Sequence, residues 1–237
     1  MIPIRDTIQS EKTPVVTYFI MVINLLTFGY ELSLDYRVDQ LIMEYGLIPI
    51  RDFYMIFHDP IFIVSFLRSS ITSMFLHGGW IHIIGNLYFL WLFGDNVEDR
   101  LGHLRFIIFY ILCGIGGALL QSYMHPLSQT PMIGASGAIS GILGAYLLFY
   151  PYAKIIMMVP LFAFYPIFFE IPAILFIVVW VVEQLYSGML EISALGGTAG
   201  GVAWWCHLGG FSTGIILALI LKPKVRRKRY LDEFFPW

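Results

Sequence analysis

The sequence predicts an all-α polytopic membrane protein: a bundle of six transmembrane helices with a long outer loop between helices 1 and 2. Three observations carry this. Of 237 residues, 58% are apolar and only 13% charged, with a mean hydropathy of +0.77. An ordinary soluble domain has about 25% charged and about 45–50% apolar residues. Six apolar runs approach the roughly 20 residues needed to cross a hydrocarbon core about 30 Å thick. The cations gather between alternate runs, as the positive-inside rule requires. A water-soluble enzyme, a disordered chain and a collagen-like fibre are excluded. A net charge of −2 argues against nucleic acid as a partner. Cys113 and Cys206 both sit in apolar runs, so neither a disulfide framework nor a Cys-based zinc site is expected.

The runs are 15–34, 75–94, 106–124, 135–150, 171–186 and 206–221. The first follows Arg5, Asp6, Glu11 and Lys12 and precedes no small-x-small site, so it reads as a span rather than a cleaved signal. The loop 36–70 mixes Asp39, Glu44, Asp52 and Asp59 with short apolar runs, a pattern for amphipathic pieces in the outer interface. Asp95, Glu98, Asp99 and Arg100 follow the second span and are expected to cap and pair locally. A seventh apolar stretch, 155–169, is broken by Pro160 and Pro166. It is expected to be an interfacial or re-entrant connection supported on protein.

With the N-terminus inside, the cytoplasmic segments hold Arg5, Lys12, Arg100, Arg105, Lys154, Lys222, Lys224, Arg226, Arg227, Lys228 and Arg229. The outer segments hold Arg37, Arg51 and Arg68. That split is eleven to three of the 14 cations. Counting 155–169 as a span would send the basic tail outside, against the rule. Expected domains are therefore a cytoplasmic segment 1–14, a six-span domain 15–221 and a basic cytoplasmic tail 222–237 touching inner-leaflet lipid. Inverted halves of the transporter kind are absent from the sequence.

Polar side chains in a span are costly and mark function by default. The second run contains His77, His82 and Asn86; His82 and Asn86 are four apart and share a helix face. The fourth opens Gly134-Ala-Ser136-Gly137 and the sixth Ala203-Trp-Trp-Cys-His207. Runs two, four and six share parity, so these groups enter from the same outer side. The 14 residues of Ser136–Phe149 reach only about 21 Å, which sets Ser136 below the outer surface at the floor of a cavity. Gly137, Gly141 and Gly144 on one span and Gly210 and Gly214 on another let two backbones approach closely. That approach would bring the Ser136 hydroxyl to the His207 ring, a nucleophile and its base. Asn86, His82 and the free Ser136 amide are candidate oxyanion donors. A zinc site from His77, His82 and His207 is the metal alternative, but the spacing is not His-Glu-x-x-His. No metal or other cofactor is expected. Glu183 and Gln184 are expected to make interhelical hydrogen bonds, contact with the site cavity being the other reading. His58, His103 and His125 are expected to be solvated.

Together these residues resemble the rhomboid intramembrane serine proteases, in the basic six-span form typical of bacteria. The likeness lies in YGLIP at 45–49, TSMFLHGGWIHIIGN at 72–86, LWLFGDNVED at 90–99, PMIGASGAISGILGAY at 131–146 and HLGGFSTG at 207–214. It implies a Ser136–His207 dyad, with His82, Asn86 and Ser136 at the oxyanion hole. It further implies an endopeptidase that cleaves transmembrane segments of other membrane proteins near the outer face. The implied setting is a multi-pass protein of the bacterial plasma membrane with both termini cytoplasmic. A catalytically silent, rhomboid-like escort protein is the alternative. Some members carry an aromatic residue four after the serine, stacked on the histidine; here it is Ser140, a candidate hydrogen-bond partner for the ring. Arg68, preceded by Leu67 instead of Trp, is expected to anchor the outer loop near the headgroups.

Overall fold

The computed structural model describes residues 1–161, 165–193 and 201–221. Six long helices dominate these residues: α1 Val15–Ser33, α5 Trp80–Leu101, α6 His103–Met124, α7 Ser136–Phe149, α8 Ala173–Ser193 and α9 Trp204–Ile220. Between α1 and α5 lie three shorter ones, α2 Val38–Tyr45, α3 Pro49–Asp52 and α4 Phe62–Thr72. By length and composition α1, α6 and α8 are able to cross a membrane, while α7 and α9 are shorter apolar helices. Many large apolar side chains face outward, among them Leu26, Ile81 and Val179, which suits lipid as the surrounding solvent. The protein is a mostly helical, multi-pass membrane protein.

The expectation of an all-α fold is corrected in one place. Across the stretch 155–169 two antiparallel strands pair, β2 Lys154–Leu161 and β3 Tyr165–Pro172, with Ile156 opposite Glu170. The N-terminal segment adds a third antiparallel strand, β1 Ile2–Asp6, in the order β1-β2-β3. Pairing satisfies the backbone that the two prolines would strand as a helix. The tail 222–237 lies outside the described residues.

Glycine and a carboxylate set two of the joints. Gly102 adopts φ +81° between α5 and α6, a conformation open to Gly at little cost, and the chain reverses there. Glu98 does not pair only locally, as its position suggested. Fully buried, it accepts hydrogen bonds from the Val16 and Thr17 amides (2.9 and 2.7 Å) and the Thr17 hydroxyl (2.7 Å). It thus satisfies the free amides at the start of α1. His103, expected to be solvated, stands 2.5 Å from the same carboxylate, and His125 stands 3.6 Å from Glu191. Between α1 and α5, buried Asp52 accepts from the Ile48 amide (2.9 Å), Ser65 (2.8 Å) and the Arg51 guanidinium (2.6 Å). That cluster ties α3 to α4.

The core of the bundle is α7 held between α6 and α9, with α5 alongside. Backbones touch there. A Cβ at Gly210 would land on the Gly137 carbonyl, and one at Gly214 on the Gly141 carbonyl. Deeper down, Phe93, Tyr110, Ile142 and Tyr146 are almost completely buried and supply the apolar packing.

Candidate active site

Ser136 is the first residue of α7, and His207 lies in the first turn of α9. The glycine contact between those helices brings the Ser136 Oγ to 2.9 Å from the His207 Nε2. The second ring nitrogen, Nδ1, is 2.6 Å from the Gln184 Oε1 on α8. An amide oxygen only accepts, so Nδ1 carries the proton and Nε2 is left to accept from the serine hydroxyl. Trp180 and Trp204 flank the ring with centroids at 6.0 and 6.3 Å. Ser140 does not bond the ring. Its hydroxyl turns back to donate to the Ser136 carbonyl at 2.6 Å, the ordinary i−4 bond of a helical serine. The aromatic neighbours of His207 come from α8 and α9 instead of α7.

His82 and Asn86 lie on α5 across the cavity from this pair, on one face as their spacing requires. The Gly78 amide donates to the His82 Nδ1 at 3.3 Å. The proton of the neutral ring therefore resides on Nε2, available for donation. Gly134 has φ +117°, and a Cβ there would come within 2.5 Å of the His82 Nε2 and 3.7 Å of the Asn86 Nδ2. Only glycine gives both the turn and the room beside these donors. The loop carrying Gly134 is pinned twice: its amide donates to the Ser73 carbonyl at 2.8 Å, and Met132 and Leu47 exchange backbone bonds at 2.8 and 3.1 Å. The segment 45–49 thus fixes the approach to Ser136.

His82, Asn86, Ser136 and His207 line one cavity of about 1760 Å³, whose walls include Phe89, Leu143 and Trp180. His77 is not part of α5, as the run 75–94 implied. It precedes the helix, buried, with its ring against His82 at 5.2 Å and its amide on the Glu31 carboxylate at 3.1 Å. Among the described residues no three His, Cys, Asp or Glu side chains are grouped as metal ligands. Sequence reasoning passes over Glu31, its only signal being a polar residue within an apolar helix. Gln184 makes the interhelical hydrogen bond expected of it, and its partner is the His207 ring.

A serine and a histidine joined across two helices of a multi-pass membrane protein define a candidate serine-hydrolase site. The comparisons then narrow the class. The Rhomboid domain family profile matches residues 66–224, more than half of the chain. The protein belongs to the rhomboid family. It is 30% identical over 152 residues to RHOMBOID-like protein 4 of Arabidopsis thaliana, covering 64% of this chain and 33% of that one. It is 28% identical over 165 residues to the mitochondrial Rhomboid protein 1 of Saccharomyces cerevisiae, covering 68% and 44%. It is also 38% identical over 79 residues to Rhomboid-like protease 5 of Toxoplasma gondii, covering 32% and 9%. In each case the chain spans less than half the length of the relative.

Proposed function

We propose that this protein is an intramembrane serine endopeptidase, with Ser136 as nucleophile and His207 as its base. The observation that carries the reading is the 2.9 Å contact between Ser136 and the unprotonated nitrogen of His207 on a cavity wall. In the reaction, the Ser136 Oγ attacks the scissile carbonyl carbon while the His207 Nε2 takes the hydroxyl proton. The carbonyl oxygen becomes an oxyanion, met by the Ser136 amide, the Asn86 Nδ2 and the His82 Nε2–H. His207 then returns the proton to the departing amine, leaving an acyl-enzyme, and a water activated by the same ring hydrolyses it.

The substrates are transmembrane segments of other proteins. Helical carbonyls are occupied by hydrogen bonds, so a cleavable segment should carry Gly, Ala, Ser or Pro near the outer face, where the helix unwinds at lower cost. Six spans over 15–221, with 1–14 and 222–237 cytoplasmic, fit the eleven-to-three cation split. The bacterial plasma membrane is proposed from the resemblance to the basic six-span form.

The test is cleavage of a single-span reporter with small residues near its outer end. Wild type should cut it, whereas Ser136→Ala and His207→Ala should each be inert yet inserted and folded. The two residues act as a unit, so neither single loss is partial. Turnover near wild type in either variant refutes the dyad, whereas a wild type that leaves the reporter uncut favours the silent escort reading. Reporter fusions at positions 45 and 225 should report opposite sides of the membrane; the same side would refute the six-span plan.

A further inference from the structure

The geometry points to Gln184 as a positioning residue of this site: its side-chain carbonyl, oriented by Glu183, holds His207 in the tautomer whose Nε2 accepts the Ser136 proton. This rests on the protease reading above and assigns a third member to its proton-transfer chain.

The chain of bonds has one polarity from end to end. The Gln184 Nε2 donates to the Glu183 Oε2 at 2.6 Å. The Glu183 oxygen accepts that bond, so the amide's NH₂ faces Glu183 and its oxygen faces His207. That oxygen lies 2.6 Å from the His207 Nδ1 and fixes the ring proton there. The lone pair of Nε2 is then turned to the Ser136 hydroxyl at 2.9 Å. Reversing any bond would put two donors or two acceptors face to face.

The setting excludes competing partners. Gln184 is only 2% exposed, although α8 as a whole buries little; Ala173, Ile177, Gln184 and Gly188 are its buried residues. Three of these four are small or aliphatic packing residues. Gln184 is the polar one, and Trp180, one turn earlier on the same face, lies against the same ring at 6.0 Å. Ser140, the alternative partner on α7, is engaged with its own helix. With the ring oriented from α8, nothing aromatic is required four residues after Ser136.

Gln184→Leu keeps the bulk and removes the acceptor. It should lower kcat on the reporter about 10–100-fold, the range seen when a metal-bound histidine loses its orienting partner, with KM and thermal stability close to wild type. Labelling of Ser136 by a small fluorophosphonate, which needs no transmembrane substrate, should slow in parallel. Gln184→Glu restores an acceptor at the same place and should recover most of both rates. Gln184→Met, unbranched and lacking the carbonyl, should behave as Gln184→Leu and serves in its place if that variant does not accumulate. Wild-type labelling and kcat in the acceptor-less variants would overturn the inference while leaving the protease reading intact. A Gln184→Glu protein as slow as Gln184→Leu would overturn it too, since an acceptor would then be irrelevant. Failure of the wild type itself to cut the reporter or take the label, equal to Ser136→Ala, would overturn the protease reading and this inference with it.

Discussion

Helices α9 and α8 both reach His207, and they are held by opposite means. α9 carries the ring and lies against α7 and α6 with backbone on backbone; Gly210 sits on the Gly137 carbonyl and Gly214 on the Gly141 carbonyl. α8 touches the ring only through side chains and keeps most of its surface outward. In lipid no hydrophobic drive separates one apolar face from another, so closeness depends on small residues and on polar bonds. The rigid helix therefore sets the distance between Ser136 and His207, the proposed nucleophile and base. The loosely packed one meets the ring through a single hydrogen bond, accepted by Gln184.

The strongest way to break that contrast is Gly210→Ala. The added Cβ would meet the Gly137 carbonyl, backbone that cannot rotate aside. We expect a loss of about 3 kcal/mol or more in stability, by unfolding in detergent, together with loss of reporter cleavage. Wild-type stability in this variant would mean that the helices have slack, and that glycine contact does not set the Ser136–His207 distance.

Asn86→Ala tests a group held by neither helix. Among the described residues its Nδ2 bonds only the His82 carbonyl of its own helix, at 3.0 Å, so folding should be little affected. Turnover should fall by about 10²–10³ or less, because in the proposed reaction His82 and the Ser136 amide share the oxyanion. With His82→Ala added, the combined loss should be smaller than the product of the single losses. Strictly multiplicative losses would assign the two side chains to separate tasks.

A third comparison concerns the far end of α7, which is held by a carboxyl group and not by glycine. Asp6 of β1 accepts from the Tyr146 hydroxyl at 2.5 Å and from the Asn96 Nδ2 at 2.9 Å. Burial pushes its carboxyl up from 3.8 to about 7, with Asp95 adding to the rise and the Tyr146 bond opposing it. The folded value lies above the unfolded one, so the stabilisation is complete below the ordinary value and is lost as pH rises through the folded one. Stability should decline between about pH 4 and pH 7, by no more than the slope of one proton, about 1.4 kcal/mol per pH unit. Asp6→Asn should flatten that part of the profile; an unchanged profile would show that Asp6 ionises normally in the fold.

The smallest effect is expected from Gly188→Ala on α8, the counterpart of the first substitution. Its Cβ would lie 3.1 Å from the Trp205 ring, a side chain able to shift by a few tenths of an ångström. A helix gains up to about 1 kcal/mol when Gly becomes Ala, so the net change should stay within about 1 kcal/mol. A loss as large as that of Gly210→Ala would erase the distinction between the two helices.

Much of the site was legible because the membrane makes polar residues informative. Ser136, His207, His82 and Asn86 stood out as polar groups within apolar runs, and the four-residue glycine spacing indicated which helices meet. Gln184 carried the same mark, yet its partner was not readable. Which neighbour a helical side chain faces depends on the rotation of its helix against the others, and α8 has too narrow a buried stripe to announce that rotation. Ser140 shows the converse: the family resemblance put it beside the ring, but the i−4 carbonyl was nearer. The stretch 155–169 was ambiguous for another reason. Short apolar runs suit a strand, a buried helix or an interfacial segment equally, and β1, the strand that pairs with it, lies some 150 residues away in the chain.

By itself, then, the sequence determined that this chain lives in lipid, where its costly polar groups lie along each apolar run, and which glycines permit close approach. Those properties depend on composition and on positions along one helix axis, which the order of residues specifies directly. The tertiary structure alone decided that Glu98 reaches back to start α1, that the N-terminal strand completes a sheet, and that Gln184 meets the His207 ring. Each of these joins residues far apart in the chain through the relative rotation and depth of separate elements, and packing settles those only when every element is in place at once.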